Sequence, residues 1–178
     1  MALDIKKIES GDPHAMLGII EKVIIETDII CDKTTIAYGS LQDGGALVTQ
    51  RESPVIVLQQ GTQVPRDAWQ NAYSLSFNVL VFYSTGQTLD GRLENALHKE
   101  LSDVTTRIRI DVTRARYLCD NEGNLLIDEK VLNLIDRDIV WTDTTYSENF
   151  FGIDETERYP FAFSTSSFVL NTKDLPVG

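Results

Sequence analysis

Two cysteines, two histidines and sixteen basic residues are all that this 178-residue chain holds of the groups that most often carry disulfide, metal or nucleic-acid chemistry. Cys31 and Cys119 are too few for a disulfide framework. They read as one bridge at most, or as free thiols in the role of small core residues. His14 and His98 exclude a histidine-rich metal site, and a Ser-His-Asp triad would have to recruit one of them as its base. His14 falls in the first turn of one helical pattern and His98 among the charges of another, so both read as surface residues. With 27 acidic against 16 basic residues the net charge is −11. That balance opposes adhesion to nucleic acid, which depends on Lys and Arg neutralising phosphates. It leaves open a surface past which nucleic acid slides without sticking.

The short signatures of nucleotide and catalytic chemistry are also missing. There is no G-x-x-x-x-G-K-S/T, no G-x-G-x-x-G after a strand, no G-x-S-x-G, no H-E-x-x-H and no C-x-x-C. The opening "MALDIKKIES" lacks the apolar run of about 7–15 residues that marks a secretory signal. No apolar run approaches the roughly 18 residues that cross a bilayer. The expectation is a soluble chain made in the cytoplasm, with no membrane partner, no cofactor, no metal and no catalysis. Its length and its 42% apolar content suit one domain over residues 1–178, with 112–149 as a possible insertion or extension.

What is present is periodicity. "DPHAMLGIIEKVIIET" predicts a helix capped by Asp12, with Pro13 at the first helical position. Met16, Leu17, Ile20, Val23 and Ile24 form its stripe. Ala2–Ile8 reads as a short helix or an arm. "TTIAYGSLQDGGALVTQRESPVIVLQQG" reads as two or three short strands, with a turn at Gly44-Gly45 and a strand core at Val55–Leu58. A long strand is expected from about Trp69 to Ser84, twisted or bulged. A second helix begins near Leu89, with Leu93, Ala96, Leu97, Leu101, Val104 and Ile108 facing inward. "DVTRARYLCDNEGNLLIDEKVLNLID" reads as a strand, a turn at Asn121-Glu122-Gly123 and a short helix. A strand at Ile139–Thr142 then leads into an acidic, aromatic-bearing loop. In the closing strand, "YPFAFSTSSFVLNT", Phe161 and Phe163 share one face while Phe168 and Leu170 belong to the other, which predicts a bulge near Ser164–Ser167. The order of elements points to α+β: a mostly antiparallel twisted sheet with helices packed on one face.

The strand at "YSLSFNVLVFY" changes character along its length. Tyr73, Leu75, Phe77 and Val79 alternate with Ser74, Ser76 and Asn78, yet every residue from Val79 to Tyr83 is apolar or aromatic. Val79 and Val81 belong to a core, whereas Leu80 and Phe82 face a neighbouring copy or a second layer. The alternative is a strand covered on both faces by its own helices. Phe150-Phe151, an apolar pair in a loop, either folds back or meets a neighbour. Leu80, Phe82, Phe150, Phe151 and Phe168 are the candidate subunit-interface residues.

Two acidic clusters have an enzymatic or metal-binding reading. Asp111 near a strand start, with Asp128, Glu129 and Lys130 after an apolar run, is the pattern of a Mg²⁺-dependent carboxylate nuclease. The competing reading, helix-start carboxylates with a solvated lysine, fits an acidic protein better. Asp154, Glu155 and Glu157 lack the alternating-oxygen loop of a Ca²⁺ site, and read as a solvated loop or a contact for a basic partner.

Taken in order, the amphipathic helix, "SPVIVLQQ", "WQNAYSLSFNVLVFYST", "LDGRLENALHKEL" and "ERYPFAFSTSSFVLN" resemble bacteriophage tail terminator and neck (head-tail joining) proteins. The resemblance runs from about Met16 to Asn171 and lies in element order and texture, with no short diagnostic motif. It implies a homo-oligomeric ring, six copies by preference, located in the virion and made in the host cytoplasm. Tail tube, sheath and head-connector proteins would be its partners, and DNA would pass through without specific binding. A baseplate or tail-completion subunit, or a partner-binding module without ring symmetry, would share the same texture.

Overall fold

The computed structural model describes residues 2–27, 34–50, 54–66, 72–84, 91–149 and 161–173. A short helix α1 (Ile5–Glu9) precedes α2 (Pro13–Glu26). Asp12 caps α2 as expected, its Oδ1 accepting from the Ala15 N–H at 2.9 Å, with Pro13 in the first turn. The expected stripe is buried, and Ile19 with it, while His14, Ile25 and Glu26 keep the other side of α2 exposed. Ile8 of α1 is buried too, which settles the leading segment as a docked helix.

Strand β1 (Thr35–Tyr38) pairs in parallel with β2 (Val55–Pro65), and helix α3 (Leu41–Gln50) connects them. This corrects the reading of Gly44-Gly45 as a turn. Parallel neighbours need a crossover rather than a hairpin, and the two glycines sit inside the helix that supplies it. A Cβ on Gly44 would overlap the Phe82 ring, and one on Gly45 would stand 3.1 Å from Phe161 Cζ. Two glycines that cost helix propensity therefore let α3 lie close against the sheet.

Strand β3 (Tyr73–Ser84) pairs antiparallel with β2 and with β5 (Phe161–Asn171). Helix α4 (Gly91–Thr113) follows β3, then a 3-10 turn at Ala115–Tyr117 and helix α5 (Glu129–Leu132). The segment around Asp111, expected as a strand, continues α4. Leu101, Thr105, Ile108 and Val112 keep one helical face buried there. The turn before α5 is present, with Gly123 at φ +85° and Asp120 Oδ1 accepting from the Glu122 and Asn124 N–H groups. Asp128 caps α5, and Val131, Leu134 and Ile135 are buried. The last hairpin joins β4 (Val140–Asn149), longer than expected, to β5, and the sheet order is β1-β2-β3-β5-β4.

The chain is thus α+β with a mostly antiparallel sheet, but its helices flank both faces. On one face α2 and α4 cover Ile56, Leu58, Leu75, Phe77, Val79, Val81, Phe168 and Leu170. On the other, α3 covers Val55, Val57, Leu80, Phe82 and Phe161. Both sets on β5 face the way the sequence indicated, yet no bulge separates them. Its register with β3 runs unbroken from Ser84↔Phe161 to Ser74↔Asn171. A second core on the opposite face removes the need for a slip. The irregularities lie instead in β2, between Gln60 and Gln63, and in β4, between Trp141 and Asp143.

Candidate interaction surfaces

Three of the five candidate interface residues are sealed inside their own chain. Leu80 and Phe82 lie beneath α3 at 1% and 0% exposure, and Phe168 stacks on Phe77 at 1% exposure, with ring centroids 5.3 Å apart. They are corrected to core residues, because burial by their own helices leaves a neighbour nothing to touch. Phe150 and Phe151 lie outside the described residues, as do Cys31, Trp69, Leu89, Asp154, Glu155, Glu157 and the tail from 174. The side chains of Leu93, Ala96 and Leu97 do so as well.

The open features of the molecule lie elsewhere. Strand β4 is a sheet edge of ten residues, with Val140 and Tyr146 each 50% exposed and Trp141 38% exposed. Pairing register places Trp141 and Tyr146 on the α4 side. There the Arg109 guanidinium lies 4.6 Å from the Trp141 ring centroid, and Trp141 Nε1 donates to Thr144 Oγ1 at 2.9 Å. The indole is held in place while part of its face stays open, a geometry that suits an anchor for another chain. Sequence reading passed over this edge because an edge strand exposed on both sides shows no alternation of burial. The opposite edge is β1, four residues long.

A second open surface accounts for the change of character in β3. Helix α3 covers only the end of its face that holds Leu80 and Phe82. Beyond it, Ser74, Ser76 and Asn78 continue the same face of β3, in register with Asn171, Val169 and Ser167 of β5 respectively. No described helix packs on this half. Its polar groups bond to one another across strands: Asn78 Nδ2 donates to Gln59 Oε1 at 3.0 Å, and Ser167 Oγ donates to Asn78 Oδ1 at 2.9 Å. Ser76 Oγ accepts from the Thr62 N–H at 2.7 Å.

The acidic candidates are engaged otherwise. Asp111 sits on α4, half-buried, and burial raises its pKa above the usual carboxylate value against the opposing pull of Arg107, Thr27 and Arg114. Asp128 Oδ1 accepts from the Lys130 N–H at 2.8 Å as the cap of α5. Among the described residues no three His, Cys, Asp or Glu side chains converge as a metal site would require. His14 is exposed and its ring lies 4.5 Å from that of Tyr38, whose hydroxyl donates to Glu21. This contact fastens β1 to α2, and burial together with the Glu21 carboxylate pushes the Tyr38 pKa up. Cys119 is an exposed free thiol. No described helix is long and apolar enough to cross a membrane.

No protein-family model matches the chain, and no curated protein matches it.

Proposed function

We propose that this chain is a structural, non-enzymatic subunit that closes into a ring, six copies by preference, at the end or neck of a bacteriophage tail. The observation that carries the reading is the pair of unlike open edges of the sheet, β1 at one side and β4 at the other. A contact between unlike surfaces, repeated head to tail, is the kind that closes a ring, whereas a contact between like surfaces stops at a dimer. Trp141 and Tyr146 anchor that contact from β4. Tail tube, sheath and head-connector proteins meet the two ends of the ring. The −11 charge of each copy keeps phosphates from adhering, so DNA passes through.

A second reading uses the same β4 edge differently. A tail-completion or baseplate subunit, or a binding module without ring symmetry, takes one strand of a partner onto that edge. Native mass spectrometry over a concentration series, with negative-stain images, separates the two for the wild type and Tyr146→Lys. A closed ring that Tyr146→Lys dissolves supports the first. Failure of the wild type to form any ring leaves only the second.

A further inference from the structure

We infer that the uncovered half of the α3-side sheet face is a self-association surface, on which the same face of a second copy of this chain docks. The inference stands apart from the ring and from the β4–β1 edges that carry it.

Three observations point to this occupant. The first is charge. In a chain carrying −11, Asp143 is the only ionisable side chain among the described, strand-paired positions of this half-face. Two acidic copies approach each other at least cost where neither presents ionised groups. A nucleic acid would need Lys or Arg here, and a basic partner would need more than one carboxylate.

The second is hydrogen bonding. Gln59, Asn78 and Ser167 form a chain across three strands, in which both the oxygen and the nitrogen of the Asn78 amide are engaged. Ser76 spends its hydroxyl on the Thr62 backbone, accepting from N at 2.7 Å and donating to O at 3.1 Å. Polar groups that already have partners lose little when water is removed. A saccharide would be read by unspent donors and acceptors, and here the Asn78 amide and the Ser76 hydroxyl each already both donate and accept within the face. A flat surface that pairs its polar groups internally is complementary to another of the same kind.

The third is apolar area at both sides of the face. Val140 pairs with Val169 at the β4 side, and Val64 stands on the same face at the β2 side, with β3 and β5 between them. Val64 is 47% and Val140 50% exposed. An isologous contact covers the valines of both copies at once.

Size sets the strength. About a dozen strand positions at the spacing of a β-sheet give a footprint of roughly 400 Å². That is about half of the ~800 Å² per partner that a stable interface buries, so the pairing is weak and concentration-dependent.

The test is sedimentation equilibrium of the full chain from micromolar to millimolar concentration, for the wild type, Thr165→Lys, Val140→Lys and Tyr146→Lys. Thr165, paired with Leu80 and Thr145, stands where this half-face meets the α3-covered end, and Val140 at its β4 side, whereas Tyr146 points to the other side of the sheet. The expected result is a species of paired mass, dimer or double ring, that each of the first two variants halves and Tyr146→Lys leaves paired. Each lysine lowers the net negative charge, so loss of pairing cannot come from added repulsion between whole copies. Val140→Lys, at an exposed position, covers the case in which Thr165→Lys fails to fold. The inference is overturned if the wild type shows no paired mass at any concentration, or if the pairing survives both face variants. A single ring that only Tyr146→Lys dissolves would overturn this inference and leave the proposed function standing.

Discussion

Gly44 shows how little a local rule decides until its neighbours are known. Inside an exposed helix, Gly→Ala gains about 1 kcal/mol from backbone entropy. Here the new methyl would overlap the Phe82 ring, which is fully buried. Overpacking of that kind costs about 1–3 kcal/mol, which outweighs the propensity gain. Gly44→Ala should therefore lower the urea midpoint with an unchanged slope; a raised midpoint would mean that α3 is not seated on Phe82. Asp111 gives a second residue-level prediction, this one through pH. Its pKa in the folded state is raised above the ordinary 3.8, chiefly by burial. A carboxyl so shifted favours the fold at low pH, below the unfolded value, and that contribution is lost as pH rises through the folded value. At neutral pH the ionised Asp111 is thus a burden, and Asp111→Asn should be more stable than the wild type there. The difference should shrink as pH falls to 3.8 and below, measured by urea unfolding across pH. A variant less stable at neutral pH would show that Arg107 and Arg114 outweigh the burial.

The join between α4 and the sheet is where one element depends on another through a single polar pair. Thr105 and Ser164, both buried, share a hydrogen bond of 2.7 Å between α4 and β5. Thr105→Val keeps the shape and leaves the Ser164 hydroxyl without this partner, a loss of about 1–3 kcal/mol. Adding Ser164→Ala to Thr105→Val should recover part of it, giving a non-additive double-mutant cycle by chemical denaturation; simple additivity would mean the two hydroxyls do not support each other. How much could be read from sequence also follows element by element. α2 was legible because Asp12, Pro13 and an apolar stripe state its start and its face together. β3 and β5 were legible because burial on one face imposes a period of two. α3 was not, since "LQDGGALVTQ" carries a glycine pair that signals a turn unless the ring of Phe82 beneath it is known. With no helix read on the second face, the sequence leaves Leu80 and Phe82 to a neighbouring copy, a second layer or a helix of their own chain, and α3 is the helix that decides for the last. The end of α4 was misread because Ile108, Ile110 and Val112 imitate a strand while Leu101, Thr105, Ile108 and Val112 maintain the helical face. Of the surfaces offered to other chains, the Ser74, Ser76 and Asn78 alternation was visible in the sequence. Its meaning needed Gln59 and Ser167 on the strands alongside.

For the molecule as a whole, charge and surface pattern pull against each other, and salt separates them. Each copy carries −11, so any two copies repel at a distance whatever their contact surfaces. At about 10 mM salt this repulsion reaches roughly 30 Å, whereas at physiological ionic strength it is confined to about 8 Å. An interface held by ion pairs weakens as salt is added. One made of valines and internally paired hydroxyls and amides has little direct electrostatics to lose, so screening acts only on the repulsion. Self-association through the uncharged half-face should therefore tighten several-fold between low and physiological salt, read as a falling dissociation constant in sedimentation equilibrium. Thr165→Lys should show no pairing at either salt concentration. An association that weakens with salt would place ion pairs at its centre, and would direct attention to surfaces where carboxylates meet Arg or Lys. Charge and contact would then be acting at the same place, whereas the fold keeps carboxylates almost entirely off the half-face that no described helix covers.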